Sequence, residues 1–173
     1  MADTRLGGEI HGYALALGSN RPLSARRTPA RLIEEAVALI GGHMRVLAVS
    51  PVIMTAPLGP SQRRFANGAM LVESALPPPA LLALLQSIET RLGRRRHRRW
   101  GARSIDIDII LWSGGRWRSR ALTIPHAAFR ARAFVLTPLA AIAPCWRDPL
   151  TGLAMRHLRA RLAKAKPKRA TRG

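Results

Sequence analysis

The residues of this chain best suited to chemistry are two aspartates, Asp106 and Asp108, separated by one isoleucine. Apolar and polar residues alternate through residues 104–111, which predicts a β-strand. Alternate side chains of a strand share a face, so the two carboxylates point the same way and lie about 6 to 7 Å apart. They repel one another unless a cation or arginines lie between them. Mg²⁺ suits this position, because proteins bind it through one or two carboxylates together with water and phosphate oxygens.

A second interpretation of the aspartate pair is that both side chains are simply solvated on the polar face of an edge strand. Two properties of the sequence favour the magnesium–phosphate interpretation. Aspartate is disfavoured in strands, and only nine of the 173 residues are acidic. The pair also follows an arginine-rich segment, so the sequence predicts a site for a phosphate compound bound with a metal.

That arginine-rich segment, residues 91–103, contains seven arginines and no acid. Guanidinium groups bind phosphate oxygens through paired hydrogen bonds and keep their charge, which suits a clamp on a triphosphate. Trp100 lies among these arginines and could cover a flat ring. The same features would suit nucleic acid, in which a base stacks on an aromatic side chain, so both interpretations stay open at this point.

Positive charge dominates the composition, since 29 Lys and Arg against nine Asp and Glu give a net charge of +20. Such a chain attracts polyanions, including nucleotides, nucleic acid and anionic membranes. No segment has the roughly 18 to 20 consecutive apolar residues of a membrane helix, and residues 1–10 lack the pattern of a secretory signal. We therefore expect a cytoplasmic protein. Cys145 is the only cysteine, so neither an internal disulfide nor a structural zinc is expected.

The elements that position these residues follow from the hydrophobic pattern. An N-cap at Thr28 and a proline at Pro29 start the first helix, and three prolines start the second, which Gly93 ends. The order strand, helix, strand, strand, helix, strand predicts an α/β (α+β) protein with a ferredoxin-like βαββαβ fold, an antiparallel sheet flanked by helices on one face. The strands are predicted at residues 13–17, 45–54, 68–73 and 104–111, and the helices at residues 29–41 and 77–92.

The chain beyond Arg156 is rich in Lys, Arg and Ala and offers little to pack. We therefore expect one domain over residues 1–163 and a basic, disordered tail over residues 164–173.

Two further loops carry aromatic and polar side chains. Residues 56–60, with Phe65 and Asn67 after them, suit a planar heterocycle that has several hydrogen-bonding edges. Residues 123–134 add a histidine, an arginine and an aromatic near another turn, although His126 by itself is more typical of a structural role. The chain has no glycine-rich phosphate loop and no protein-kinase motif, so any nucleotide must be bound by other means.

Five short sequence motifs in these loops and strands, taken together, closely resemble those of the 6-hydroxymethyl-7,8-dihydropterin pyrophosphokinase family. The resemblance implies transfer of pyrophosphate from ATP to 6-hydroxymethyl-7,8-dihydropterin, with release of AMP, in folate biosynthesis. It rests on LGSN at residues 17–20, TAPLG at 55–59, RWGAR at 99–103 followed by Asp106 and Asp108, TIPH at 123–126 and RAF at 132–134.

The resemblance also implies the site residues. Asp106 and Asp108 would hold two Mg²⁺ ions between the pterin hydroxyl and the ATP phosphates, and the catalytic Arg94 and Arg103 would contact those phosphates. The pterin would be bound by Thr55, Leu58, Phe65, Asn67, Trp100 and Phe134. ATP would be bound by Gln86, Glu89, Arg96, Ile109, Thr123, His126 and Arg132.

The implied partners are the small molecules pterin and ATP, with no membrane and no requirement for nucleic acid, although the basic tail could bind polyanions. The chain is expected to act as a monomer. Ala56 and Ala102 depart from the family pattern where proline is usual, and Ala127 where an aromatic is frequent. Two alternatives stay open: a basic RNA-binding module with a ferredoxin-like sheet, and a family member with an altered pterin substrate.

Overall fold

The computed structural model of the protein describes residues 9–56, 63–93 and 104–165. None of the helices within these residues is long and apolar enough to cross a membrane. The strands are β1 (His11–Ser19), β2 (Arg45–Val49), β3 (Ile53–Thr55), β4 (Phe65–Ser74), β5 (Asp106–Trp112), β6 (Trp117–Arg118) and β7 (Thr123–Ile124). The helices are α1 (Pro29–Gly41), α2 (Pro78–Arg91), α3 (Ala133–Ile142) and α4 (Met155–Lys164), with a 3₁₀ turn at Phe129–Ala131.

The main sheet has five strands, in the order β2–β4–β1–β5, and β3 also pairs with β4. Every pairing in it is antiparallel. With α1 between β1 and β2 and α2 between β4 and β5, this arrangement confirms the predicted ferredoxin-like βαββαβ fold. β6 and β7 pair separately.

The two predicted helices form where their local signals place them. The Thr28 hydroxyl accepts a hydrogen bond from the Arg31 amide, and Pro29 occupies the first turn of α1. α2 begins at Pro78, and Gly93, with a φ of 81°, lies just beyond its end. Both helices bury their apolar sides in one cluster that includes Leu15, Leu17 and the isoleucines at positions 105, 107 and 109.

A second helical layer covers the opposite face of the sheet, whereas the sequence predicts helices on one face only. α3 and α4 pack with Ala14, Ala16 and Ala69 in a separate apolar cluster. Beyond Arg156, where the sequence predicts little to pack, Leu158 of α4 is buried and Leu162 packs against the same cluster, next to the buried Met155. These three residues hold a short helix whose remaining side chains are largely basic and exposed. Residues 166–173 of the predicted tail lie outside the described residues.

The predicted strand at residues 45–54 is divided into β2 and β3. Pro51 has no amide hydrogen and cannot continue the pairing. Ser50 bonds to β4 at this point: its amide donates to the Ala69 carbonyl oxygen and its hydroxyl accepts from the Ala69 amide, both at 2.9 Å. The edge of β4 is therefore shared by two short strands.

A β-bulge at Ile110 changes the side-chain alternation of β5. Leu15 pairs with Ile109 but its neighbour Ala14 pairs with Leu111, so Ile110 is the extra residue. Strict alternation through residues 104–111 would place Leu111 on the face of Ile109, but Leu111 instead packs in the cluster under α3 and α4.

Candidate active site

Asp106 and Asp108 lie on β5, which forms one edge of the main sheet. Asp106 pairs with Gly18 of β1, and Asp108 pairs with Ala16. Directly paired residues of antiparallel strands share a face, and Ala16 belongs to the cluster under α3. Both carboxylates therefore point to the α3 side of the sheet, where they are half-buried, and the prediction that they share a face is confirmed.

The backbone between the two aspartates is held from the α2 side. Glu89 of α2 is 3% exposed, and its Oε1 accepts a hydrogen bond from the Ile107 amide at 2.7 Å. Amides on the outer edge of a sheet have no strand to bond with, so they need a side chain or water. Glu89 is predicted as an ATP contact, and this bond gives it a second role, because it fixes the peptide that separates the two carboxylates.

The start of β5 is anchored from the β1 side. Ser19, the last residue of β1, is 1% exposed, and its hydroxyl donates to the Ser104 carbonyl oxygen. Asp106 follows two residues later. The aspartates are thus attached to the body of the protein through β1, Ser19 and Glu89, which favours a fixed placement of their carboxylates.

A cleft of about 360 Å³, here called the edge cleft, opens where β5 meets α2 and the chain around β7. This volume falls in the range of small-molecule sites. Both aspartates line it, and so do five of the seven residues predicted to bind ATP: Gln86, Glu89, Ile109, Thr123 and His126. The side chain of Ile109 is 2% exposed and belongs to the core, so its main chain is what it offers to the cleft.

His126 is oriented by main-chain hydrogen bonds to its amide and to its ring. Its amide donates to the Ile110 carbonyl oxygen at 3.1 Å, and its Nδ1 accepts from the Ala128 amide at 3.3 Å. Because Nδ1 is an acceptor, a neutral imidazole carries its proton on Nε2. Nε2 lies 3.9 Å from Asp108 Oδ2. His126 therefore presents a hydrogen-bond donor to the part of the cleft next to the aspartates.

A second group of predicted residues lies on the sheet face beside Asp106. Asn67 of β4 pairs with Gly18, which also pairs with Asp106, so the three residues form one row across the sheet. Thr55 of β3 pairs with Phe65 of β4, two residues along β4 from Asn67 and on the same face of the sheet. We call the space above these five residues the sheet-face hollow.

Asn67 is held in a defined orientation within this hollow. It is 3% exposed, and its Nδ2 donates to Thr55 Oγ1 at 2.9 Å. Its Oδ1 lies 3.6 Å from the point where a Cβ would stand on Gly18. Apart from Gly18 and its two chain neighbours, no other described residue has a heavy atom within 4 Å of that point. The missing side chain at Gly18 therefore leaves open space between the Asn67 amide and the Asp106 carboxylate.

Phe134 and Arg132 stand at the start of α3. Phe134 is half-buried against the cluster under α3, and α3 contacts both β3 and β4. Phe134 thus lies on the same side of the sheet as the hollow. The Arg132 guanidinium carbon is 5.8 Å from the centre of the Phe134 ring. Arg132 does not line the edge cleft, so the structure does not place it with the other predicted ATP residues.

Five predicted site residues lie outside the described residues, and their roles stay predictions: Leu58, Arg94, Arg96, Trp100 and Arg103. Conversely, Leu82, Ala121 and Leu122 line the edge cleft without being predicted from the sequence. Leu82 has a signal in the sequence, because it precedes Gln86 by four residues and Glu89 by seven and so shares their side of α2. Ala121 and Leu122 have none.

The donor set at Asp106 and Asp108 fits Mg²⁺. Two half-buried carboxylates beside a cleft leave space for the water and phosphate oxygens that complete the octahedral coordination of this ion. Within the described ranges, no group of three or more His, Cys, Asp and Glu side chains is placed to hold a metal. Such a site suits an ion that arrives with a nucleotide better than one enclosed by protein ligands.

Sequence comparison shows that residues 14–144 match the 7,8-dihydro-6-hydroxymethylpterin-pyrophosphokinase (HPPK) family. The 2-amino-4-hydroxy-6-hydroxymethyldihydropteridine pyrophosphokinase of Pseudomonas aeruginosa is 42% identical over 141 residues, which cover 81% of this chain and 85% of that protein. The protein of the same name from Methylorubrum extorquens is 44% identical over 131 residues, covering 75% and 81%. The one from Synechocystis is 36% identical over 144 residues, covering 83% and 72%.

Comparison with solved structures supports the fold independently. A triple mutant of Plasmodium falciparum HPPK-DHPS with SDX-DHP superimposes with a TM-score of 0.72 at 14% identity, over 92% of this chain and 46% of that one. An HPPK-DHPS in complex with substrates gives a TM-score of 0.72 at 13% identity, over 91% and 44%. The present chain thus spans a little less than half of these longer proteins, and at this identity the likeness concerns the fold alone.

Proposed function

The chain belongs to the 7,8-dihydro-6-hydroxymethylpterin-pyrophosphokinase family, and we propose that it transfers pyrophosphate from ATP to 6-hydroxymethyl-7,8-dihydropterin, giving AMP and the pterin diphosphate in folate synthesis. The observation that supports this most is the position of Asp106 and Asp108 between two spaces. The edge cleft opens beside them along β5, and the sheet-face hollow opens beside Asp106 across Gly18. An RNA-binding module would have no need for two carboxylates placed between two such spaces.

We assign ATP to the edge cleft. Leu82 and Leu122 offer apolar surface for the adenine, and Gln86 offers an amide beside it. His126 donates a hydrogen bond from Nε2 close to the aspartates, where the phosphates must lie. Glu89 maintains the spacing of Asp106 and Asp108 through its bond to the Ile107 amide.

We assign the pterin to the sheet-face hollow. The Asn67 amide, oriented by Thr55, can bond to a hydrogen-bonding edge of the ring. Phe65 and Phe134 offer aromatic surface to its flat faces. This placement directs the hydroxymethyl group toward Asp106, and Leu58 and Trp100 are expected to complete the enclosure.

The reaction is an in-line displacement in which the pterin hydroxyl oxygen attacks the β-phosphorus of ATP and the bond to AMP breaks. Mg²⁺ held by Asp106 and Asp108, two ions in our proposal, supplies neutralising charge to the phosphate oxygens when bound. Asp106 accepts the proton of the hydroxyl. Arg94 and Arg103 stabilise the diphosphate as it moves, while Arg96 and Arg132 contact ATP. Positioning of the two substrates accounts for most of the rate increase.

The proposal also covers the oligomeric state and the cellular compartment. We expect the chain to act as a monomer in the cytoplasm on these small molecules, since the assigned contacts to both substrates come from one copy of the chain.

Substitution of either aspartate tests this assignment. Asp106→Asn and Asp108→Asn should each lower the rate of AMP release by more than about tenfold, which corresponds to about 1.4 kcal/mol of activation free energy. Glu34→Gln is the matched control, because it removes one negative charge from an exposed side chain on α1 that pairs with Arg31. Aspartate variants with a rate within tenfold of the parent would refute the assignment.

A further inference from the structure

A buried ion pair joins the 3₁₀ turn to the loop that precedes α4. Asp148 is 0% exposed; its Oδ2 accepts a hydrogen bond from Arg130 Nε at 2.7 Å and its Oδ1 accepts one from Arg130 Nη2 at 2.6 Å. The Thr151 hydroxyl and the Leu150 amide also donate to this carboxylate, at 2.6 and 3.1 Å. Burial by itself would raise the pKa of Asp148, but the hydrogen bonds from Arg130, Thr151 and Leu150 hold that pKa below its ordinary value. The pair is therefore fully charged at neutral pH.

The loop that carries Asp148 has a fixed backbone. The Asp148 amide donates to the Leu153 carbonyl oxygen at 2.9 Å, and the Gly152 amide donates back to the Asp148 carbonyl oxygen at 2.8 Å. Arg147 and Ala154 close the loop with a β-bridge. Asp148 is thus an anchor whose own position does not depend on Arg130.

Arg130 lies in a segment that connects two predicted nucleotide contacts, because His126 precedes it by four residues and Arg132 follows it by two. Within the segment, the Phe129 amide donates to the His126 carbonyl oxygen and the Arg132 amide donates to the Phe129 carbonyl oxygen, both at 3.2 Å. Among the described residues, four attachments join the segment to the rest of the protein. The His126 amide donates to the Ile110 carbonyl oxygen, and the Arg132 carbonyl oxygen accepts from the Val135 and Leu136 amides of α3. The other two are the buried Phe129 ring and the bond of Arg130 to Asp148.

We propose that Arg130 and Asp148 are positioning residues for the nucleotide: their ion pair sets the direction in which residues 126–132 present His126 to the edge cleft and Arg132 to the start of α3. This inference rests on the proposed function. Neither residue lines the edge cleft, so both act through the segment and not by contact with ATP.

The geometry of the ion pair explains why it can fix the orientation of residues 126–132, whereas the packing of Phe129 cannot. A buried apolar ring such as Phe129 fixes how deeply the segment lies, but it tolerates rotation about the chain. Two parallel hydrogen bonds between a guanidinium and a carboxylate fix the relative orientation of both groups. The Arg130 guanidinium also lies 4.6 Å from the centre of the Phe129 ring, so the two attachments act together.

The test compares Arg130→Met, Arg130→Lys and Asp148→Asn with the parent chain. Binding of α,β-methylene-ATP with Mg²⁺ is measured by calorimetry, and the KM values for ATP and pterin by AMP release. Arg130→Met and Asp148→Asn should raise the Kd of the analogue and the KM for ATP about tenfold, since small displacements of a binding group have effects of this size or larger. The KM for pterin should stay within about twofold of the parent value, and Arg130→Lys, which keeps a cation for Asp148, should give an intermediate Kd.

Arg27→Met is the matched control. Arg27 also forms an ion pair through Nε and Nη2: Nε donates to both Glu35 carboxylate oxygens and Nη2 donates to Oε2. This pair is more exposed than that of Arg130 and Asp148, and neither of its residues lines the edge cleft. Its analogue Kd should equal that of the parent. A lower melting temperature with an unchanged Kd in the Arg130 and Asp148 variants would overturn the proposal and leave the pair a purely structural role.

Two further outcomes are also decisive. If Asp148→Asn does not fold, Arg130→Lys still decides the matter, because an unchanged Kd in that variant contradicts the proposal. If the parent binds the analogue but releases no AMP, the proposed function fails, while the calorimetric comparison still supports or overturns the positioning role.

Discussion

On β1, Leu15 and Leu17 point toward α1 and α2, whereas Ala16 and Gly18 point toward α3. The first face, here called the closed face, is filled by large aliphatic side chains. On the second, the open face, the apolar cluster ends at the row of Ala16 and Ala69, and the next row, Asn67, Gly18 and Asp106, belongs to the hollow.

The difference shows how one sheet provides both a core and a site. Along each strand, the side chains that point to the closed face pack in the core and stabilise the fold. The alternating side chains that point to the open face lose their packing partners where the second helical layer ends, and there they can contact substrates. Small residues are what make this possible, because Gly18 leaves space that a large side chain would fill. Substitutions on the closed face should therefore change stability, and substitutions on the open face should change catalysis.

The largest effect is expected on the closed face. Leu15 is 0% exposed, and Leu15→Ala should lower the free energy of unfolding by about 2–5 kcal/mol through lost burial and the cavity left behind. Chemical denaturation measures this, and the folded fraction should keep the parent's KM values. Val49→Ala is the control, since Val49 is 44% exposed. A Leu15 variant with normal stability but altered KM would break the distinction between the faces.

A smaller effect, on catalysis, is expected at Gly18. Gly18→Leu should fill the hollow and lower kcat/KM for pterin roughly 100-fold, about 2.7 kcal/mol, while the Kd of the ATP analogue stays close to the parent value. Gly18→Ala is the control, because beyond the neighbouring residues of β1 its Cβ would meet only Asn67 Oδ1 in the described part of the chain, at the ordinary contact distance of 3.6 Å. Equal pterin kinetics in both variants would show that the pterin does not lie above Gly18.

The smallest effect is the pH dependence of stability that comes from a tyrosine on the closed face. Tyr13 is the only tyrosine of the chain and is 0% exposed, and its hydroxyl donates to the Leu76 carbonyl oxygen at 2.6 Å. Burial raises the pKa of Tyr13 to about 12. Because the folded pKa exceeds the unfolded value of about 10, its stabilising effect is complete below about pH 10 and is lost as the pH rises toward about 12. Phenolate absorbance should show a midpoint near pH 12 while the chain stays folded, and a midpoint near about pH 10 would mean that the closed face admits water.

The parts of the fold that the sequence predicts are those with local causes. Thr28 and Pro29 start α1 by themselves, and the period of two in β5 places Asp106 and Asp108 on one face without reference to any other strand. The bulge at Ile110 depends on pairing with β1, which lies far away in sequence. α3 is apolar on most sides, so no helical period distinguishes it from a buried strand.

The site, like the fold, has parts that the sequence predicts and parts that it does not. The aspartates are recognisable from spacing and charge, and the resemblance of short strings supplies the expected roles of Asn67 and His126. The bond from Glu89 to the Ile107 amide crosses 18 residues of sequence, and nothing in the spacing of acids indicates it. The pair of Arg130 and Asp148 likewise becomes visible only when the loop before α4 is folded against the 3₁₀ turn.

The identity of the nucleotide product distinguishes pyrophosphate transfer, which gives AMP, from transfer of a single phosphate, which gives ADP. The parent chain is incubated with Mg²⁺, ATP and 6-hydroxymethyl-7,8-dihydropterin, and the products are separated by chromatography. We predict AMP and the pterin diphosphate in equal amounts, and no transfer without Mg²⁺. Formation of ADP, or consumption of ATP that does not depend on the pterin, would contradict this prediction.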